Sequence, residues 1–191
     1  VGSLNGAKGH WELARAFELA HFERPASLIL NGNMPRLSAI GRLRQTARAV
    51  LNHQVPGLAR LVARINRRGR GLKRIILADL PRPELVEAYK AADLFAFASH
   101  VEYSPLVLFE AVAAGTPFLS TPAGNAAEIA RWTGAGTICD CPVDATGQVR
   151  PDPRRLARRM EEMLRSPEVL KAFGERGRHA FVEGGFSWAS I

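Results

Sequence analysis

Apolar positions in this chain fall into short continuous runs that alternate with stretches repeating every three or four residues. ASLILNG, KRIILAD, DLFAFAS, PFLST and GTICD, with a short opening VGSL, read as six strands. In KGHWELARAFELAHF, the residues Trp11, Leu13, Ala14, Phe17, Leu19 and Ala20 follow a helical period. Leu37, Ile40, Leu43, Ala47, Val50 and Leu51 mark a second helix. Leu58, Leu61, Val62 and Ile65 mark a third, split from it at Val55-Pro56-Gly57. RPELVEAYKAA carries Pro83 in its first turn, and PLVLFEAVAAG is stopped by Gly115. NAAEIARW is a short helix, and Asp152-Pro153 and Ser166-Pro167 open helices over 153–165 and 167–182.

Apolar strands alternating with helices predict an α/β fold, a Rossmann-like parallel sheet of about six strands with helices on both faces. The 191 residues suffice for one such domain, spanning 1–191, with a basic helical insertion at about 36–70. Such sheets bind ligands at the carboxyl ends of their strands. That directs attention to the loops after Leu4, Gly32, Asp79, Ser99 and Thr121. The opening on a strand and the ending on FSWASI predict a piece of a longer protein.

Charge adds a second picture. The net charge is +8, yet no acid lies between Glu23 and Asp79, an interval holding twelve Arg and Lys; the remainder nets −4. Arg60, Arg64, Arg67 and Arg68 share one face of the third helix. This block predicts either a solvated face or contact with an anionic membrane surface or charged acceptor. Without interleaved aromatics, nucleic acid is not expected. No run of 18 apolar residues occurs, and no leader pattern opens the chain. The expected location is cytoplasmic, peripheral to the inner membrane face at most. Cys139 and Cys141, without further thiols or nearby histidines, read as buried reduced residues.

The candidate chemistry lies in EYSPLVLFE. Glu102 precedes a helix start, with Ser104 ahead of Pro105 at the first helical position. The amides of Leu106 and Val107 then have no intrahelical partner and, with the helix dipole, form an anion site suited to phosphate. Glu110, eight positions after Glu102, is suited to a vicinal diol such as a ribose. Ribose, diphosphate and sugar fit that spacing. On spacing alone, dipole complementation and a solvated face are the commoner explanation of two such acids.

The stretch E-Y-S-P-L-V-L-F-E, followed by A-x-A-x-G-T-P-x-x-x-T-x-x-G-N-x-x-E-I, resembles the Glu-x7-Glu signature of retaining GT-B glycosyltransferases of family 4. VGSLNGAKGHWELARAF is similar to that family's opening strand, Lys-Gly loop and first helix. LADLPRPELVEAYKAADLFAFAS resembles its base-binding loop, helix and strand, and GFSW its closing helix. The resemblance spans the chain apart from the basic block. It implies the C-terminal, donor-binding half of a bacterial hexosyltransferase, inactive without an N-terminal acceptor domain. Glu102 would contact the hexose and Lys8 would neutralise the departing phosphate. Ser104, Pro105, Leu106 and Val107 would cradle the diphosphate, Glu110 the ribose, and Leu80 to Arg82 the base.

Two departures stand out. Ser3 occupies a donor-site position where the family usually has Arg, and Tyr103-Ser104-Pro105 replaces Gly-Phe-Gly, stiffening the loop. No Asp-x-Asp occurs, so no metal or other cofactor is expected. Lys8 and the helix start would carry the leaving-group charge. His10 reads as an exposed side chain and His100 as a residue that could line the pocket; Asn125 reads as the N-cap of the next helix, in a loop that faces the donor pocket in the family. The alternatives are a sugar-nucleotide epimerase-like protein, for which acid/base residues are lacking, and a non-catalytic nucleotide-binding or partner-docking module.

Overall fold

The computed structural model of the chain describes residues 2, 6–32, 55, 57–69 and 71–186. After a 3-10 turn at Gly6–Lys8, helix α1 (His10–Leu19) leads to β1 (Ala26–Asn31), and α2 (Leu58–Arg68) leads to β2 (Lys73–Ala78). Then follow α3 (Arg82–Ala91), β3 (Phe95–Phe97), α4 (Leu106–Ala113) and β4 (Phe118–Ser120). The order ends with α5 (Ala126–Thr133), β5 (Gly136–Ile138), α6 (Pro153–Leu164) and α7 (Pro167–Glu183).

Every strand pair is parallel, as the continuous apolar runs predicted. β1 lies against β2, with Leu28 opposite Ile75. β4 lies between β3 and β5, with Phe118 opposite Phe95 and Gly136. The α/β class stands, but among the described residues the sheet has five strands in two groups instead of six in one. The expected VGSL strand lies outside the described residues apart from Gly2.

Strand alternation sorts the core into two layers. Phe95, Phe97 and Phe118 face a cluster built with Leu108 and Val112 of α4 and Ile129 of α5. Ala98 and Leu119 face the other side, with Leu13 and Phe17 of α1 and Leu156 of α6. Each fully buried Leu, Ile or Phe contributes about 1.5–3 kcal/mol. Helix α1 packs on α6 and α2, and α7 packs on α4 and α5, so both faces are covered.

The basic block divides. The helix expected around 37–51 lies outside the described residues. α2 buries Leu58, Leu61, Val62 and Ile65, as its period predicted. Its Arg stripe is not uniform. Arg64 leaves the solvated set, donating to both oxygens of Glu18 at 2.9 and 3.1 Å. Burial alone would raise the Glu18 pKa, but the hydrogen bonds from Arg64 and Arg15 hold it below its ordinary value. Asn66, on the same helix, clips the outer edge of β2: its Oδ1 accepts from Ile75 N at 2.7 Å and its Nδ2 donates to Ile75 O at 2.9 Å. Cys139 and Cys141 are buried free thiols with sulfurs 3.6 Å apart.

Helix starts follow the sequence with one correction and one refinement. Asp152 caps α6, its carboxylate accepting from Arg154 N at 2.8 Å. Pro105 is not the first residue of α4. Its ψ of 91° is extended, so it occupies the cap position and Leu106 opens the helix. Ser166 precedes α7 without a side-chain cap bond.

Candidate functional site

The carboxyl end of β3 is clamped before it reaches Glu102. His100 N donates to Ala7 O at 2.8 Å, and Ser99 Oγ donates to the same carbonyl at 3.1 Å. On the other side, Thr121 Oγ1 donates to Ser99 O at 2.7 Å. Ser99 and Thr121 are wholly buried, so these bonds satisfy groups that would otherwise carry a desolvation penalty. The 6–8 turn sits this close because residue 9 is glycine: its φ is 65°, and a Cβ there would lie 1.8 Å from Ala98 O.

This clamp brings Lys8 to Glu102, 94 positions away, with Nζ to Oε1 at 2.6 Å. The lysine side chain is 27% exposed and the carboxylate 13%. A second brace holds the backbone of Glu102. Gly124 has a φ of 58°, and a Cβ there would lie 2.5 Å from Tyr103 O and 2.8 Å from Glu102 O. Asn125 N donates to Tyr103 O at 3.1 Å.

Beyond this point the chain is exposed. Tyr103 is 95% and Leu106 60% exposed, Ser104 is exposed, Val107 is half-buried, and Pro105 anchors the turn from below. The α4 tip therefore faces outward with its first amides unpaired by the helix. The arrangement suits an anion at the tip, with a cation, Lys8, at its rim.

Glu110 lies one turn into α4 and already holds two donors. Arg82 NH1 approaches Oε1 at 2.6 Å, and the Tyr89 hydroxyl donates to Oε2 at 3.2 Å. Tyr89 is buried, and burial, then the nearby carboxylate, pushes its pKa up. Leu80 is fixed by its amide, which donates to Oδ1 of buried Asn31 at 2.8 Å. Thus the 80–82 segment and Glu110 are joined, and Lys8 and Glu102 are joined, at the two ends of the 102–110 stretch. Ser3 lies outside the described residues.

Sequence reasoning did not single out Tyr89, Gly9, Gly124 or the Asn31 side chain as site supports. Tyr89 reads as one more apolar helix position, and its partner is 21 residues away. Asn31-Gly32 read only as a strand stop. His10 was expected to be exposed; it is 4% exposed, and burial, aided by the charge of Lys8, pushes its pKa down to about 4. His100 Nε2 lies 3.4 Å from Glu12 Oε1. His10 Nδ1, His100 Nε2 and Asn125 Oδ1 are buried without a hydrogen-bond partner among the described residues. Among those residues no group of three His, Cys, Asp or Glu side chains converges to hold a metal ion, and no helix is long and apolar enough to cross a membrane.

Comparison with known proteins bears on the fold and the family. The solved structure of sucrose-phosphate synthase from Thermosynechococcus elongatus superposes with a TM-score of 0.67 at 21% identity, over 99% of this chain and 41% of that one. Anabaena HepE, solved in complex with UDP, superposes with a TM-score of 0.64 at 17% identity, over 95% of this chain and 43% of that one. Among curated relatives, D-inositol 3-phosphate glycosyltransferase of Thermobispora bispora is 33% identical over 111 residues, 58% of this chain and 23% of that protein. The match thus spans less than a quarter of that relative's length. A family profile, Glycosyl transferases group 1, matches residues 1–180, and the chain belongs to that family.

Proposed function

We propose that the chain is the donor-binding half of a longer, two-domain, retaining glycosyltransferase that moves a hexose from a nucleotide diphosphate sugar without a metal ion. The observation that carries this reading is the Lys8–Glu102 pair at 2.6 Å, set directly before the outward-facing tip of α4. The diphosphate would lie on the amides of Leu106 and Val107 beside Ser104 and Pro105. Glu110 would take the ribose hydroxyls and the Leu80–Arg82 segment, mostly through its backbone, the base. The UDP held by Anabaena HepE, a protein of the same fold, supports a nucleotide ligand.

Transfer breaks the bond between the sugar C1 and a diphosphate oxygen and forms one from C1 to an acceptor oxygen on the same face. The acceptor proton leaves with the departing diphosphate. Negative charge grows on that diphosphate, and Lys8 and the α4 amides are the preorganised donors that meet it. Glu102 would orient the hexose. Its present partner is Lys8, so donor binding exchanges one anion for another at the ammonium. The exposed Tyr103 and Leu106 flank the tip where an acceptor domain would close. Exposed Arg60, Arg67 and Arg68 on α2 would meet anionic lipid at a cytoplasmic membrane face.

Calorimetric titration with UDP, GDP and ADP, and then with their sugars, tests the reading. Saturable binding of one nucleotide that is lost in Glu110→Ala supports it, and no binding of any of the three refutes it. Vesicle sedimentation with and without phosphatidylserine tests the lipid contact; equal binding to both refutes that part alone.

A further inference from the structure

The proposed transfer makes no use of two nucleophiles, the thiols of Cys139 and Cys141. They follow the carboxyl end of β5 and lie 3.6 Å apart, sulfur to sulfur. A disulfide bond is about 2 Å long, so the pair is in contact but not joined. Its surroundings are those of a reactive pair, next to a helix start and to arginines. The S–H bond from Cys139, aided by the backbone of Asp152 and the charge of Arg155, pushes the Cys141 thiol down to about 7 against the effect of burial. The same shared proton, together with burial, pushes Cys139 up. Near neutral pH the two sulfurs therefore share one proton in much of the population, with a thiolate at Cys141 and a thiol at Cys139. Exposures of 4% and 1% keep bulky disulfides away from them. Cys139 nevertheless lines a cavity of about 350 Å³ with Arg155 and Arg159. That space admits a molecule as small as water or hydrogen peroxide.

The pair is also tied to the loop that carries Glu102. Cys139 N donates to Ser120 O of β4 at 2.7 Å, which fixes that residue to the sheet. Cys141 leads instead into a tight hairpin over 142–150. There Arg150 N donates to Pro142 O at 2.7 Å and Asp144 N donates to Gln148 O at 2.8 Å. The far arm of the hairpin reaches the candidate site, because Val149 N donates to His100 O at 2.9 Å. His100 stands two residues before Glu102, and its own amide holds Ala7 O beside Lys8. Joining the sulfurs draws them together by about 1.5 Å from their 3.6 Å separation. The fixed position of Cys139 passes that displacement to Cys141 and the hairpin.

We propose that Cys139 and Cys141 form a peroxide-sensitive dithiol that closes reversibly to a disulfide and, through the 142–150 hairpin, shifts the loop that carries Glu102. The Cys141 thiolate attacks one oxygen of hydrogen peroxide. An S–O bond forms, the O–O bond breaks, and the released hydroxide takes up a proton as water. The Cys139 sulfur then attacks the Cys141 sulfur, forming S–S and breaking S–O. The second hydroxide leaves as water with the Cys139 proton. Two electrons pass from the thiols to the peroxide, and a dithiol reductant reverses the change by exchange.

The test treats the 191-residue chain with hydrogen peroxide at pH 7 and follows free thiols, intact mass and amide exchange. The expected product is a monomer that has lost both thiols and two hydrogens, and that a dithiol reductant restores. Exchange at the Val149 and His100 amides is expected to change about threefold or more on oxidation and to return on reduction. Exchange at Ile75, held by Asn66 on the far strand pair, should stay constant. Cys139→Ser keeps a hydrogen-bond donor beside Cys141 and is expected to accumulate a sulfenic acid that dimedone traps. Cys141→Ser should react with peroxide about tenfold more slowly or less. Thiols that react only in urea, an intermolecular dimer or a sulfonic acid in place of the internal bridge, or equal rates for the two serine variants overturn the proposal. A bridge that leaves exchange at Val149 and His100 unchanged overturns the link to Glu102. Should the variants fail to fold, mass and exchange of the parent chain decide. No readout uses nucleotide, so failure of UDP binding leaves the inference standing; only an effect of oxidation on donor affinity rests on the function proposed above.

Discussion

Arg82 donates to Glu110 at 2.6 Å, and the carboxylate expected to receive a ribose is therefore already capped by a cation. Arg82 is 64% exposed, so the pair itself contributes only about 0–1 kcal/mol. Both carboxylate oxygens retain lone pairs beyond Arg82 and Tyr89. Arg82→Ala is thus expected to tighten nucleotide binding by up to about fivefold, the factor that 1 kcal/mol represents. Glu110→Ala removes charge-assisted bonds and is expected to weaken binding by about 10–100-fold. Calorimetry on the two variants separates the readings. Parallel losses would mean that Arg82 touches the ligand instead of competing with it.

The Lys8–Glu102 pair makes a different prediction because its charge matters most when a diphosphate departs. In the two-domain enzyme, Lys8→Ala is expected to lower kcat by about 10²–10³, the range for losing one preorganised donor. Donor affinity should fall much less. Turnover and dissociation constants measured on the same preparation decide this, and equal losses in both remove the leaving-group role.

Gly124 controls where Glu102 can be. A Cβ at this position meets two backbone carbonyls, at 2.5 and 2.8 Å, and the φ of 58° is unfavourable for other residues. Backbone atoms cannot swing aside as a flexible side chain does. Gly124→Ala is therefore expected to lower stability by about 1–3 kcal/mol, a fall in Tm of about 2–10 °C for a chain of this size. It should also weaken donor binding, since Tyr103 and Glu102 must shift. A variant that keeps the Tm and affinity of the parent chain would show that the 121–125 loop does not position Glu102.

Much of this architecture is legible in the residues, for identifiable reasons. Strands β1 to β5 are continuous apolar runs, and parallel burial on both faces writes that pattern directly. Leu58, Leu61, Val62 and Ile65 are buried as their spacing predicts. Glu102 and Glu110 stand out because carboxylates near a helix tip are conspicuous in local sequence. What is not legible depends on partners far along the chain. Arg64 looks like its neighbours Arg60 and Arg68 until α1 brings Glu18 to it. Asn66 looks like a surface residue until β2 presents Ile75. His10 follows Lys8-Gly9 at a helix start, a place usually wet; the close approach of Gly9 to Ala98 draws that turn inward and buries the imidazole.

That burial makes His10 an acid-sensitive point. Its ordinary pKa of 6.5 falls to about 4 in the fold, chiefly because burial disfavours the imidazolium. The unfolded chain therefore takes up the proton first as pH drops. His10 stabilises the neutral fold fully above pH 6.5, loses that contribution progressively towards pH 4, and changes little below it. The loss amounts to roughly 3 kcal/mol. His10→Gln cannot titrate, so its stability should vary less with pH than that of the parent chain in this window. Urea midpoints at pH 7, 5.5 and 4 for both proteins isolate the difference, because carboxylate titrations common to the two cancel. Curves that run parallel across the window would place the imidazole in water.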